Sequence, residues 1–258
     1  MGTALLIDGD VLLYRFGHRG QDKADFGEGV VCEWTTPETA RTEVDVFIRQ
    51  LVKTCDCNKT FICLSGPSNQ IFRYDILPTY KHNRQGAEKP YLFYELKEHL
   101  EEHWPIVRKP VLEADDSMGI LSTKKPGKYV IASIDKDLVQ IPGYHYNWSK
   151  DDKPKWINER EADKCFYKQI LSGDPVDGFS GVPQIGAKRA EKIVNQLFMD
   201  GDPTVEEMWA TIMSHHQKKG LSEDYALTQA RMARILRYED WDSEKQKPIL
   251  WTPYRDDG

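Results

Sequence analysis

Three short apolar runs constrain this chain more than any other feature: Thr3-Ala-Leu-Leu-Ile7, Thr60-Phe-Ile-Cys-Leu64 and Tyr129-Val-Ile-Ala-Ser133. None alternates with polar residues, so each reads as a strand covered on both faces. Strands of that kind need helices above and below them, and amphipathic segments lie between the runs. Thr36-Pro37-Glu38 is a helix start with proline in the first turn. Val44, Phe47, Ile48, Leu51 and Val52 then follow on one helical face. Tyr91 to His103 reads as a second helix, with Leu92, Leu96 and Leu100 in a row. The alternation predicts an α/β fold with a mainly parallel central sheet flanked by helices. After Trp156 the texture changes. Helices are expected over Glu161–Leu171, Ala187–Phe198, Val205–His216 and Glu223–Arg237, which predicts an α/β core over 1–171 and an all-helical region over 172–258. A polar, glycine-rich loop is expected from Gly17 to Gly29.

Composition narrows the functions open to such a chain. Hydrophobic residues at 40% and aromatics at 11% of 258 residues suit a globular protein. The apolar runs are far shorter than the ~20 residues of a membrane span. Met1-Gly-Thr leads directly into a strand with no basic segment or cleavage pattern, so a soluble, cytoplasmic chain is expected. Cys32, Cys55, Cys57, Cys63 and Cys165 form no C-x-x-C pair, which predicts reduced thiols. A net charge of −6 argues against a nucleic-acid binder only where the acids are evenly spread. Here they are clustered.

Asp8 follows the first strand at once. Asp135 ends the third, and Asp137 lies two residues later. Glu113, Asp115 and Asp116 open a helix, and Asp174 and Asp177 sit three apart. In a parallel sheet, strand ends of this kind converge on one cleft. That gives eight carboxylates, with Asp10 a ninth candidate. Such a cluster implies cations, and because no His or Cys lies in any of the four motifs the expected ions are Mg²⁺ or Mn²⁺. Two of them would suit phosphodiester hydrolysis.

A grip on phosphates is also present. Arg73, Tyr80, Lys81 and Arg84 form a basic and aromatic stretch. Gly181-Val-Pro-Gln-Ile-Gly186-Ala-Lys188-Arg189 has a helix–hairpin–helix pattern, with two glycines followed by a cationic helix start. His99 and His103 lack the order of a zinc-protease motif. His215-His216 reads as surface, and Trp209 and Trp241 as packing residues.

Taken together, Asp8-Gly-Asp10, Tyr80-Lys-x-Asn-Arg84, Glu113-Ala-Asp-Asp116, Asp135-Lys-Asp137, Gly173-Asp-x-x-Asp177 and Gly181–Lys188 resemble the flap endonuclease (5′-nuclease) family. Within it, Met232–Arg237 and Leu250-Trp-Thr-Pro253 resemble the replication 5′→3′ exonucleases of short-tailed phages. The resemblance implies a PIN/FEN-like core with an arch over about residues 72–104. It implies a divalent-metal-dependent 5′→3′ exodeoxyribonuclease acting on duplex DNA with a 5′ end or flap, and on the RNA of RNA·DNA hybrids, as a monomer in the cytoplasm of the host cell. Asp8, Glu113, Asp115 and Asp116 would hold one ion, and Asp135, Asp137, Asp174 and Asp177 the second. Lys81 and Arg84 would act at the scissile phosphate beside Asp8, Asp115 and Asp135. Arg73, Tyr80, Gly181, Val182, Gln184, Gly186, Lys188 and Arg189 would contact DNA, with K⁺ at the hairpin. The family often carries another aspartate after the second strand, where this chain has Ser65-Gly66-Pro67. Two other readings share these features: a structure-specific flap endonuclease, and a catalytically silent DNA-binding replication scaffold.

Overall fold

The computed structural model describes residues 3–18, 24–25, 31–32, 36–84, 86–199 and 201–254. β1 (Thr3–Asp8) runs directly into α1 (Gly9–Gly17), capped by the Asp8 side chain. Two-residue strands β2 (Ala24–Asp25) and β3 (Val31–Cys32) pair with one another; the rest of the loop expected there lies largely outside the described residues. α2 (Pro37–Thr54) starts at Thr36, whose side chain accepts the Thr39 N–H, and leads to β4 (Cys57–Cys63). The short helix α3 (Arg73–Ile76) and α4 (Phe93–His103) precede β5 (Ile106–Val107) and α5 (Ala114–Lys124). β6 (Tyr129–Ala132), β7 (Gly143–Tyr146) and β8 (Lys155–Ile157) complete the sheet. α6 (Glu159–Ser172), α7 (Ala187–Leu197), α8 (Val205–Gln217) and α9 (Glu223–Ala233) follow, then the hairpin of β9 (Trp241–Asp242) and β10 (Lys247–Pro248).

The sheet order is β5-β4-β1-β6-β7-β8, parallel throughout except for β8 at the edge. The three apolar runs form β1, β4 and β6, the central strands. Leu5, Leu6, Ile7, Ile62 and Ala132 are fully shielded, each larger side chain contributing about 1.5–3 kcal/mol by leaving water. β7 and β8 were not legible, because both are short and polar.

Packing divides the chain differently from the sequence reading. α1, α2 and α4 share one hydrophobic cluster with the sheet. Leu96 and Leu100 of α4 are buried there, so the second half of the expected arch belongs to the core. A separate cluster unites α6 to α9 with Tyr74, Ile76, Leu77 and Tyr80. α6 therefore packs with the helical body. Trp209 and Trp241 pack inside, as expected. His216 does not lie at the surface: it is fully buried, its ring bonded to the Ile212 carbonyl.

α9 also ends four residues before the expected Arg237. Beyond Ala233 the backbone extends, because its polar groups find partners elsewhere. The Arg234 carbonyl accepts from Arg73, and the Leu236 N–H donates to Asp116 Oδ1 at 3.1 Å. Among the described residues no helix is long and apolar enough to cross a membrane.

Candidate active site

β1 lies between β4 on one side and β6 on the other, so the direction of winding reverses between β1 and β6. Both strands end there, at the edge where open α/β sheets bind ligands. Asp8 terminates β1, and Ser133 follows β6. The Ser133 hydroxyl donates to Asp8 Oδ2 at 2.7 Å, and the Val11 N–H to Asp8 Oδ1 at 3.0 Å. Ser133 Oγ also accepts the Asp135 N–H, and Asp135 Oδ1 the Asp137 N–H, so the turn after β6 is folded around its own acids.

Asp8, Asp115, Asp135 and Asp137 have no basic partner within ion-pair distance among the described residues, and the proton affinities of Asp8, Asp115 and Asp137 reflect it. Burial, then the charges of Asp10 and Asp135, push the Asp8 carboxyl up to about 7. Burial, then Asp8 and Asp135, hold Asp115 well above the usual carboxylate range. Burial and Asp135 bring Asp137 to about 6. These groups repel one another in a half-dry cleft, which favours any cation that enters.

The next acids along the cleft are compensated instead. Glu113 Oε1 accepts from Lys81 Nζ at 2.5 Å, and Oε2 from Arg73 and from the Tyr80 hydroxyl, each at 2.9 Å. Burial alone would raise the Glu113 carboxyl, yet Arg73 and Lys81 outweigh it and hold it below its ordinary value. Asp177 Oδ1 accepts from Arg84 at 2.7 Å, with Lys81 Nζ 3.9 Å away. Lys81 has a φ of 50°, a left-handed backbone rare for a side chain of its kind, and its N–H is bound to the Asp177 carbonyl. Asp174 Oδ1 accepts the N–H groups of Val176 and Asp177 and so fixes that turn.

Three expected roles change with this geometry. Asp116 is fully buried and spends both oxygens internally: Arg73 donates to them at 2.6 and 2.9 Å, and the Glu113 and Leu236 N–H groups complete the set. It is a structural anchor rather than an ion ligand. Arg73, expected at DNA, is the buried partner of that anchor. Tyr80, also expected at DNA, is 2% exposed and points its hydroxyl at Glu113.

The hairpin between α6 and α7 divides similarly. The Gly181 N–H donates to Gln229, its carbonyl accepts from Tyr225, and Val182 is buried, so neither faces outward as expected. Gln184, Gly186, Lys188 and Arg189 are exposed, with Gly186 at the N-terminus of α7. Ser133 and Ser65, which orient Asp8 and Asp10, were missed; a hydroxyl at the end of an apolar run is the signal that could have found them.

All the candidate donors are oxygens, as Mg²⁺ or Mn²⁺ requires. Among the described residues no group of three or more His, Cys, Asp or Glu side chains is placed to hold a metal ion by itself. Mg²⁺ needs only one or two carboxylates and keeps several waters. The residues present therefore fit such an ion.

Comparison with known proteins agrees with the fold. The 5′-3′ exonuclease N-terminal resolvase-like domain family matches residues 3–167. The exodeoxyribonuclease of Enterobacteria phage T3 is 31% identical over 205 residues, covering 68% of each chain; the exonuclease of Escherichia phage T7 is 28% identical with the same coverage. Among solved structures, T5 5′-exonuclease with divalent zinc ions bound superposes with a TM-score of 0.64 at 17% identity, over 90% of this chain and 89% of that one. A T5 flap endonuclease variant in a pseudo-enzyme–product complex with DNA and metal ions gives 0.56 at 17%, over 90% and 93%. With its parallel sheet, its carboxylates at the winding reversal and a family match across most of its length, this chain belongs to the 5′-3′ exonuclease family.

Proposed function

We propose that this 5′→3′ exonuclease hydrolyses duplex DNA from its 5′ ends with two Mg²⁺ or Mn²⁺ ions, and acts likewise on the RNA of RNA·DNA hybrids. The observation that carries this reading is the adjacency of uncompensated acids to a cationic wall within one cleft. Asp8, Asp115, Asp135 and Asp137, with Glu113 and Asp177 at the boundary, would hold the ions. When bound, divalent ions supply Lewis-acid polarisation of the phosphodiester and lower the pKa of water.

The chain's own residues do the rest. Lys81 and Arg84, seated on Glu113 and Asp177, lie where an entering phosphate exchanges with those carboxylates as partner. Burial would lower the Lys81 ammonium, but Glu113 and Asp177 outweigh it and raise it, so Lys81 meets the phosphate charged. It acts as an electrostatic stabiliser of the developing charge, not as a proton donor. Lys188, Arg189 and the free N–H groups opening α7 would hold backbone phosphates farther along the duplex.

The test is digestion of duplexes labelled at the 5′ or the 3′ end, with Mg²⁺ or with EDTA. Expected is Mg²⁺-dependent release of 5′ label first, as short products. Loss of 3′ label first, or cleavage that persists in EDTA, overturns the reading. Faster cutting of a flapped than of a blunt duplex would replace it with flap endonuclease activity.

A further inference from the structure

Ser65 stands where β4 hands the chain to the loop leading toward α3, and three elements meet on its polar atoms. Its hydroxyl donates to Asp10 Oδ2 at 2.5 Å, and its backbone N–H to Asp10 Oδ1 at 3.4 Å. The same Oγ accepts the Ala114 N–H at 3.0 Å, at the first helical residue of α5. One hydroxyl thus joins the first turn of α1, which carries Asp10, to the helix start that carries Glu113 and Asp115.

The approach is enforced by two glycines. A Cβ on Gly66 would fall 2.2 Å from the Pro110 carbonyl oxygen, and the Gly66 N–H donates to the Leu112 carbonyl at 2.9 Å. A Cβ on Gly9 would fall 2.6 Å from the Ile62 side chain and 2.7 Å from the Cys63 carbonyl oxygen. The chain ahead of α5 and the start of α1 therefore close on Ser65 from two sides. Asp10 is half-buried, has no ion pair within 4 Å among the described residues, and faces the same cleft as Asp8 and Glu113. With one lone pair on each oxygen fixed by Ser65, its remaining lone pairs are aimed rather than free to rotate.

We propose that Ser65 is a positioning residue that locks Asp10 as a further carboxylate of the divalent-ion site and sets its placement against the Glu113–Asp115 helix start. The inference rests on the metal-dependent reading above. Partners of this kind orient metal-binding side chains, and their loss costs about 10–100-fold in ion affinity. A hydroxyl that merely joined loops would leave ion binding unchanged.

The experiment is Mn²⁺ binding to the full chain without DNA, followed by electron paramagnetic resonance of free Mn²⁺, with thermal unfolding in EDTA as the control for folding. Ser65→Ala is expected to weaken Mn²⁺ binding about 10–100-fold. Ser65→Thr, which keeps the hydroxyl, should bind within several-fold of the parent. Asp10→Asn should weaken binding at least as much as Ser65→Ala, and adding Ser65→Ala to it should cost nothing more. Parent-like binding by Ser65→Ala, while Asp115→Asn loses Mn²⁺, overturns this inference alone. A full additional loss in the double variant also overturns it, because Ser65 would then act through α5 and not through Asp10. Failure of the parent chain to bind Mn²⁺ removes the metal-dependent reading and this inference with it.

Discussion

Asp115 and Asp116 are neighbours in sequence and opposites in physics. Asp116 turns into the protein and is met there by Arg73, the Leu236 N–H and the Glu113 N–H. Asp115 turns toward the cleft, where the charges that act on it most strongly are those of Asp8 and Asp135. The same division runs through the molecule. Glu113, Asp116 and Asp240 are each paired with arginine or lysine, Asp240 with Arg234 at 2.8 Å. Among the described residues, Asp8, Asp115, Asp135 and Asp137 have no arginine or lysine within ion-pair distance. Buried acids of the first kind hold the fold together, because removing one partner strands a charge in a dry interior. Those of the second kind weaken the fold, because like charges repel in a partly buried cleft.

That contrast can be broken most sharply at Asp115. Asp115→Asn should lower turnover by about 10³-fold or more, at the upper end of what one electrostatic group contributes. Because it removes a repelling charge, it should leave thermal stability in EDTA equal or higher. A destabilised Asp115→Asn would place Asp115 with the anchors. Asp116→Asn is the mirror experiment. It leaves Arg73 without its bidentate partner and should cost about 3–5 kcal/mol. A midpoint of unfolding lower by roughly 6–20 °C in EDTA would report it. An unchanged midpoint would contradict the anchor assignment.

Glu113 on one side, and Asp8 and Asp137 on the other, should also respond to pH in opposite senses. Asp8 and Asp137 have folded-state pKa values above the 3.8 of the unfolded chain, so between those values the native protein holds the extra protons. Stability in EDTA should therefore rise as pH falls from about 8 to about 5. Glu113 is depressed below 4.5, and the stability it contributes is lost as pH drops through that lower range. Divalent ions should raise the unfolding midpoint more at pH 8 than at pH 5. A flat profile that ignores Mg²⁺ would erase the distinction. The smallest effect belongs to the hairpin. Lys188→Ala should weaken duplex binding several-fold, equally across sequences, and reduce the magnitude of the salt slope by about 1. An unchanged slope in binding titrations would remove that contact.

Much of this was legible beforehand. The three apolar runs became the central strands because nothing but a doubly covered strand accommodates them. Asp8 and Asp135 fell at strand ends in the sequence and so fell at the sheet's ligand edge in space. The four acidic motifs were equally visible, but their division into anchors and site residues was not. Arg73 shows why: a basic residue in a polar stretch reads as surface, yet its partner Asp116 lies 43 positions away. Tyr80 is buried for a similar reason, since the hydrophobic cluster that holds it draws largely on α6 to α9, far along the chain.

By itself the sequence determined the layered α/β plan and the positions of the carboxylates along the chain. These follow from local patterns of apolar burial and from residue type. Only the tertiary structure decided which carboxylates meet a cation of the chain and which meet one another. Charge compensation acts over a few ångströms in space, and contacts such as Arg73 with Asp116 or Ser65 with Asp10 join residues whose separation along the chain carries no signal.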